Sequence, residues 1–256
     1  MRADQQPCRR SVNLILLEPS EVSETGDVTL SGPRAAHMLN VLRLAAGHQV
    51  RVGVIDGARG TATVHSTGDG TVDIRCNLET GAPPRPAIDL LLAVPRSKVM
   101  RRLWAQIAAL GVGRIILTNA EKVERHYFDT HMLEPATYRP LLIEGLQQAR
   151  DTRLPSVSIH RRFKVLIEDE LDHLMGPALR VVTDPSARTS FADIMRGGRE
   201  SRVLLAIGPE GGWNRFELDL LTAHGFQPAG MGPRTLRTDT ACIALLALAH
   251  FARGEF

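Results

Sequence analysis

Ile207-Gly208-Pro209-Glu210-Gly211-Gly212-Trp213 and, further along, Leu236-Arg237-Thr238-Asp239-Thr240-Ala241 carry the reading of this chain. Each stretch follows an apolar run of strand character, Val203 to Ile207 and Phe226 to Met231, in a region where strands alternate with helical patterns. That alternation predicts an α/β domain with a mostly parallel sheet covered on both faces, whose ligands gather at the carboxyl ends of the strands. Glycines remove side chains from one wall of such a site, so that main-chain N–H and C=O groups approach a ligand closely. Glu210 stands inside the loop and no lysine follows it, which argues against a phosphate cradle. The spacing also departs from the Gly-x-Gly-x-x-Gly pattern of dinucleotide sites. A cationic or zwitterionic ligand suits the loop better, and a plain Gly-Pro turn from strand to helix remains the alternative.

Working outward, the expected strands are Ile88 to Val94, Arg114 to Leu117, Ser156 to Ile159, Leu179 to Thr183, Val203 to Ile207 and Phe226 to Met231. Helices are expected over Lys98 to Leu110, Leu133 to Ala149, Arg215 to His224 and Asp239 to Ala252, with Asn214 and Glu217 as a helix-start pair. Toward the N-terminus the period changes. From Val12 to Asn77 the pattern alternates, with Val50, Val52 and Val54 on one parity and Val72, Ile74 and Cys76 on another, and with turns at Asp56-Gly57 and Gly68-Asp69-Gly70. This predicts a small β-barrel or sandwich, interrupted by a helix capped by Ser31 that carries Ala35, Met38, Leu39 and Leu42. Gly81-Ala82-Pro83-Pro84-Arg85-Pro86 reads as a stiff linker. The expected organisation is therefore a domain over 1–80, a linker over 81–87 and an α/β domain over 88–256.

At the two motifs the chain resembles the RsmE family of SPOUT methyltransferases, whose Gly-Pro-Glu-Gly-Gly and Leu-Arg-x-Glu-Thr-Ala signatures match Gly208 to Gly212 and Leu236 to Ala241, with Asp239 in place of Glu. Weaker likeness includes Arg34, His37, Val41-Leu42-Arg43, Asp56-Gly57, Leu110-Gly111-Val112, Glu124-Arg125 and Gln147 to Arg153. The resemblance implies methylation of N3 of a uridine in 16S ribosomal RNA of the small subunit, with S-adenosylmethionine as cofactor. It also implies a C-terminal SPOUT domain tied into a deep trefoil knot and an N-terminal PUA-like barrel that binds RNA. The cofactor would lie among Thr183, Ile207, Gly208, Pro209, Gly211, Gly212, Met231, Gly232, Leu236 and Thr240, and the RNA would meet Arg34, His37, Arg43 and Arg125. The helix before Leu110 departs from the family's usual Lys-x-Thr-Glu, reading Gln106-Ile107-Ala108-Ala109, and Glu144-Gly145-Leu146-Gln147-Gln148 departs from its Glu-Ala-x-x-Gln. Both lie outside the cofactor motifs, so they bear on which RNA is modified. A SPOUT enzyme acting on transfer RNA or a ribose oxygen, and an inactive RNA-binding relative, are the rival readings.

Three side chains are candidates for the chemistry. Uracil N3 is a poor nucleophile until its proton leaves or the resulting charge is stabilised. Arg237 is an always-charged planar donor that can be aimed at developing charge, although it could instead clamp a phosphate or pair with Asp239. Glu210 would serve as a base if buried, because desolvation raises a carboxylate's pKa, and a role in holding its loop is the favoured alternative. Asp239 opens a helix, where a carboxylate is electrostatically favourable in any case, and is the secondary base candidate.

Composition narrows the setting. Of the 31 basic residues 28 are arginine, which suits an RNA partner, yet the formal net charge is only +3 and arginine-rich codon usage explains the bias equally well. Cys8, Cys76 and Cys242 lack paired spacing and no His-x-x-x-His occurs, so neither a disulfide framework nor a metal is expected. The charged start (Arg2, Asp4, Arg9, Arg10) leads into no signal-like apolar run, and Ala241 to Ala249 falls short of the ~20 residues of a membrane span. A soluble cytoplasmic protein is expected. Between Ala241 and Ala252 only His250 is polar, so this helix should be buried on all sides. The parent sheet covers one face, and a second subunit in a homodimer, or else the chain's own helices, must cover the other.

Overall fold

The computed structural model describes residues 14–198 and 202–255; the charged start and Cys8 lie outside them. The chain divides into two units, one comprising the residues up to Pro84 together with Ile143–Leu154, the other Arg85–Leu142 with Pro155 onward.

In the first unit, five strands form one sheet in the order β1-β3-β4-β5-β2: β1 (Ile15–Leu17), β2 (Asp27–Leu30), β3 (Gln49–Val54), β4 (Arg59–Gly68) and β5 (Thr71–Leu78). β1 runs parallel to β3 and the other pairs are antiparallel. The alternation has the expected cause: Val50 and Val52, Val72 and Ile74 point into a cluster with Leu17, Leu30 and Met38, while their neighbours along each strand face outward. Asp56 and Asp69 turn the two hairpins with positive φ, a conformation that Asp tolerates. The segment α1 (Gly32–Ala36) runs straight into a wide π turn, His37–Val41. Ser31 precedes it as expected, but its side chain makes no capping hydrogen bond.

Residues 143–154, which the sequence reading assigned to the α/β domain, complete this unit. Leu14 N–H donates to Gln147 O (3.0 Å) and Asp56 N–H to Thr152 O (2.7 Å), while the Thr152 hydroxyl donates to Gly57 O (2.7 Å). Thr152 is fully buried.

The second unit is built on six parallel strands in the order β11-β9-β10-β6-β7-β8: β6 (Ile88–Ala93), β7 (Arg114–Thr118), β8 (Ser156–His160), β9 (Leu179–Thr183), β10 (Val203–Ile207) and β11 (Phe226–Ala229). β6 and β10 are buried along their whole length, as expected of central strands that read as unbroken apolar runs. The exception is Asp89 on β6, a fully buried carboxylate matched by the Arg202 guanidinium (Nη2 to Oδ1, 2.7 Å). The helices α2 (Ser97–Ala109), α3 (Pro135–Ala149), α7 (Arg215–Ala223) and α8 (Thr238–Arg253) fall where the sequence places them. Three more segments went unread: α4 (Phe163–Val165) and α5 (Leu171–Met175), joined by the wide turn Leu166–Glu170, and α6 (Phe191–Gly197).

Within one chain α8 is covered on one face only, so the chain's own helices do not bury it on all sides. Cys242, Leu245, Leu246 and Ala249 are buried, but Leu248 is 45% exposed and Phe251 72% exposed. Within one chain, the helix keeps an uncovered apolar stripe. Full burial pushes the Cys242 thiol up to about 12, so it stays protonated and inert. No helix among the described residues is long and apolar enough to cross a membrane.

Candidate functional site

Every strand of a parallel sheet delivers its chain to the same edge, and here two clefts open at that edge. The first has a volume of about 290 Å³. Its walls are the ends of β9, β10 and β11 with the loops that follow them: Thr183 to Pro185, Ile207 to Trp213, and Met231 with Gly232 and Arg234 to Leu236. Leu218 of α7 and Thr238, Ala241 and Leu245 of α8 close it. Gly212 (φ 67°) and Gly232 (φ 97°) hold backbone conformations that favour glycine, and a Cβ at either would meet no protein atom within 4 Å. Both loops thus expose bare backbone to open space. The ionisable groups lining this cleft are Asp184, Glu210 and Arg234, with no lysine, which fits a ligand carrying positive charge.

Nine of the ten cofactor candidates line this cleft: Thr183, Ile207, Gly208, Pro209, Gly211, Gly212, Met231, Gly232 and Leu236. Thr240 does not, because α8 has already begun and carries its side chain outward. Arg237 sits between two lining residues, yet its own side chain is 77% exposed at the rim and 3.8 Å from Asp239.

The carboxylates part company. Glu210 is not buried as a base would need; its side chain is 35% exposed and accepts a long hydrogen bond from Arg96 N–H (3.4 Å). Asp239 is mostly covered, and burial alone would raise its carboxyl. The Arg102 guanidinium (Nη2 to Oδ2, 2.9 Å), the Thr240 N–H and the charge of Arg237 outweigh that and hold it below the ordinary aspartate value. A carboxylate so held is a weaker proton acceptor near neutrality, which counts against Asp239 as a base.

The second cleft, about 880 Å³, lies between residues 119–126, Phe163, Lys164 and the start of α7. Its construction follows from one capping box. The Asn214 side chain accepts from Glu217 N–H (2.8 Å) and Glu217 Oε2 accepts from Asn214 N–H (2.7 Å), while Glu217 Oε1 also accepts from Glu121 N–H (2.7 Å). One buried carboxylate therefore fastens the loop after β7 to α7. Lys122 Nζ donates to Gly211 O (2.7 Å), which ties the same loop to the glycine turn of the first cleft. Trp213 is buried against Phe163, ring centroids 5.4 Å apart, and is packing rather than an open platform.

Of the RNA candidates, His37, Arg43 and Arg125 are exposed. Arg34 is turned inward, its guanidinium paired with Glu21 and donating to Leu16 O (3.1 Å). Arg102 and Lys122 had no place in the sequence reading, since each reaches the motif loops from a different crossover and leaves no local pattern; Glu217 was read as half of a helix-start pair, and its bond to Glu121 N–H was not.

The model of the RNA methyltransferase domain matches residues 83–250, two thirds of the chain and both cleft-forming loops. The chain belongs to this family. Among curated relatives, a ribosomal RNA small subunit methyltransferase E of Treponema pallidum is 31% identical over 93% of this chain and 92% of its own length. One from Borreliella burgdorferi is 24% identical over 91% and 95%. Among solved structures, a ribosomal RNA small subunit methyltransferase E from Neisseria gonorrhoeae bound to S-adenosyl methionine superposes with a TM-score of 0.75 at 21% identity, covering 93% of this chain and 97% of that one. A Legionella pneumophila protein solved with the same cofactor gives 0.77 at 23% identity, covering 95% and 98%. These two likenesses show a shared fold.

Proposed function

We propose that the chain methylates N3 of a uridine in 16S ribosomal RNA, using S-adenosylmethionine held in the cleft between residues 207–213 and 231–238. The observation that carries this reading is the coincidence of the two motif loops on one backbone-lined, lysine-free cleft in a chain of the RNA methyltransferase family. Bound S-adenosylmethionine supplies an electrophilic methyl group on a positively charged sulfur. Ile207, Gly208, Met231, Gly232 and Leu236 would hold its adenine through main-chain groups and apolar side chains, and the carboxylates of Asp184 and Glu210 would complement the charge. The Arg237 guanidinium, exposed at the rim and only loosely paired with Asp239, meets the negative charge that develops on the uracil oxygens. With Asp239 committed to Arg102, and Glu210 partly exposed and accepting from Arg96 N–H, Glu210 holds its loop, and Arg237 carries the stabilisation of charge as the N3 proton leaves to solvent.

The fold reading extends further. The loops after β9, β10 and β11 belong to a trefoil knot, and the first unit acts as a PUA-like RNA-binding module through exposed His37 and Arg43. A second copy of the chain covers the Leu248–Phe251 stripe of α8, giving a homodimer. Light scattering after size exclusion should report a dimer at micromolar concentration, and Leu248→Glu a monomer; wild-type protein that is monomeric and fully active there defeats the dimer. The function is tested by mass spectrometry of 16S rRNA from cells with and without the gene, and by transfer of labelled methyl to subunits from the deletion strain. A 3-methyluridine that persists in the deletion strain, or label in a ribose or in transfer RNA, overturns it.

A further inference from the structure

The second cleft has no part in the chemistry above, yet it carries an unusual side chain. Phe216, in the first turn of α7, lines it and is 57% exposed. An apolar aromatic ring left open to water costs free energy, and nothing in the fold requires it. The apolar face of α7 is already served by Leu221, which is fully buried, and by Leu218, which lines the cofactor cleft. α7 therefore presents Leu218 to one cleft and Phe216 to the other.

Apart from Ala120, Val123 and Phe163 the remaining lining is polar, and part of it is firmly held. Glu217 spends both oxygens on backbone N–H groups and is turned inward, and Glu124 accepts from the Tyr127 hydroxyl (3.1 Å). Lys122 and Lys164 line the same cleft, as do exposed Arg125 and His126. Asn119, also lining it, has its Oδ1 buried without a hydrogen-bond partner among the described residues. An open ring with cations around it is a combination with which proteins bind unstacked bases of single-stranded RNA. The ring stacks and the cations meet phosphate.

Resting on the function proposed above, we infer that this cleft binds a nucleotide flanking the methyl acceptor, its base stacked on Phe216 and its phosphate neutralised by Arg125. The acceptor itself belongs at the first cleft, on the far side of the bridge between Lys122 and Gly211. The flanking site is adjacent to it because α7 and that bridge border both clefts. Stacking on one aromatic residue tolerates many bases, so the site contributes affinity and positioning more than sequence choice.

The test is methyl transfer to small subunits from the deletion strain, with RNA titrated at saturating S-adenosylmethionine. Phe216→Ala should raise KM for the subunit by roughly ten-fold or more, the loss expected for one stacked base, with little change in kcat. Phe216→Tyr should restore KM, whereas Phe216→Leu, apolar but without a π face, should not. Arg125→Ala should weaken binding and lower the slope of log K against log salt by about 0.7, the increment for one phosphate on a single strand. Calorimetric affinity for S-adenosylmethionine should match wild type in each variant. Because Phe216 is exposed, an unchanged melting temperature will show that the variants fold. An unchanged KM for Phe216→Ala, or full rescue by Leu, overturns the stacking site. A fall in kcat with KM constant also overturns it, since that places the acceptor in this cleft. Wild-type protein that transfers no methyl to subunits refutes the proposed function itself, an outcome separate from these.

Discussion

Replacing Glu217 tests how the two clefts are built. Its side chain is 3% exposed and its carboxylate accepts from Glu121 N–H and Asn214 N–H, both at 2.7 Å. Glu217→Ala strands both partly buried donors, and each donor left unpaired costs about 1–3 kcal/mol, toward the lower end where water reaches it. The loss should therefore be about 2–5 kcal/mol, with the Asn214 bond to the backbone N–H of residue 217 retained. For a chain of this size about 2–4 °C is lost per kcal/mol, which predicts a melting temperature lower by roughly 4–20 °C. Glu217→Gln keeps one acceptor but turns its NH2 toward the other donor, so it should fall between wild type and Ala. Differential scanning fluorimetry gives the ordering. Amide hydrogen exchange gives the location, with Glu121 and Asn214 losing protection before the central strands do. If Glu217→Ala melts within a degree of wild type and those amides exchange no faster, the clasp does not hold the loops and the reasoning fails.

Gly212→Val places a branched side chain at φ 67°, aimed into the open space of the cleft, and should abolish S-adenosylmethionine binding in calorimetry while the circular dichroism spectrum stays native; unchanged affinity would remove the proposed cofactor site. Arg237→Ala should lower turnover at saturating RNA by about two orders of magnitude with cofactor affinity nearly unchanged, and turnover within a few-fold of wild type would show that Arg237 stabilises no transition-state charge. In the first unit, the hydrogen bond from Arg34 holds the Glu21 carboxyl below the ordinary glutamate value, against the opposing effect of burial. Because the folded pKa is the lower one, the stabilisation is complete above the unfolded value and is lost as pH falls through the folded value. Glu21→Gln should therefore destabilise the protein at neutral pH and flatten its stability profile in the acid range; parallel wild-type and Glu21→Gln profiles would contradict this.

β6 and β10 were legible because buried central strands read as unbroken apolar runs, and α7 because Asn214 and Glu217 announce a capping box. α6 was not, since seven residues make two turns, too few for a period to emerge. The segment from Phe163 to Met175 escaped because Glu168-Asp169-Glu170 interrupts its apolar pattern inside a wide turn. The glycine loops of the cofactor cleft were legible because Gly and Pro mark backbone geometry directly. The state of the carboxylates was not. Arg102, on α2, decides that Asp239 stays ionised, and no local pattern links two residues so far apart in the chain. α8 shows the same limit from the other side: its composition says that an apolar surface exists, but not which part of it the chain itself covers.

The return of residues 143–154 to the first unit has a consequence for synthesis. Strands β1 to β5 are complete once Leu78 has been made, yet Leu14 N–H, Asp56 N–H and Gly57 O find their partners only in Gln147 and Thr152. During vectorial synthesis the nascent sheet must wait with that edge unsealed while the first strands and helices of the following unit emerge from the ribosome. A fragment ending at the Pro83-Pro84 hinge would stay in that waiting state for good, so the natural cut point in this gene is not where the prolines suggest.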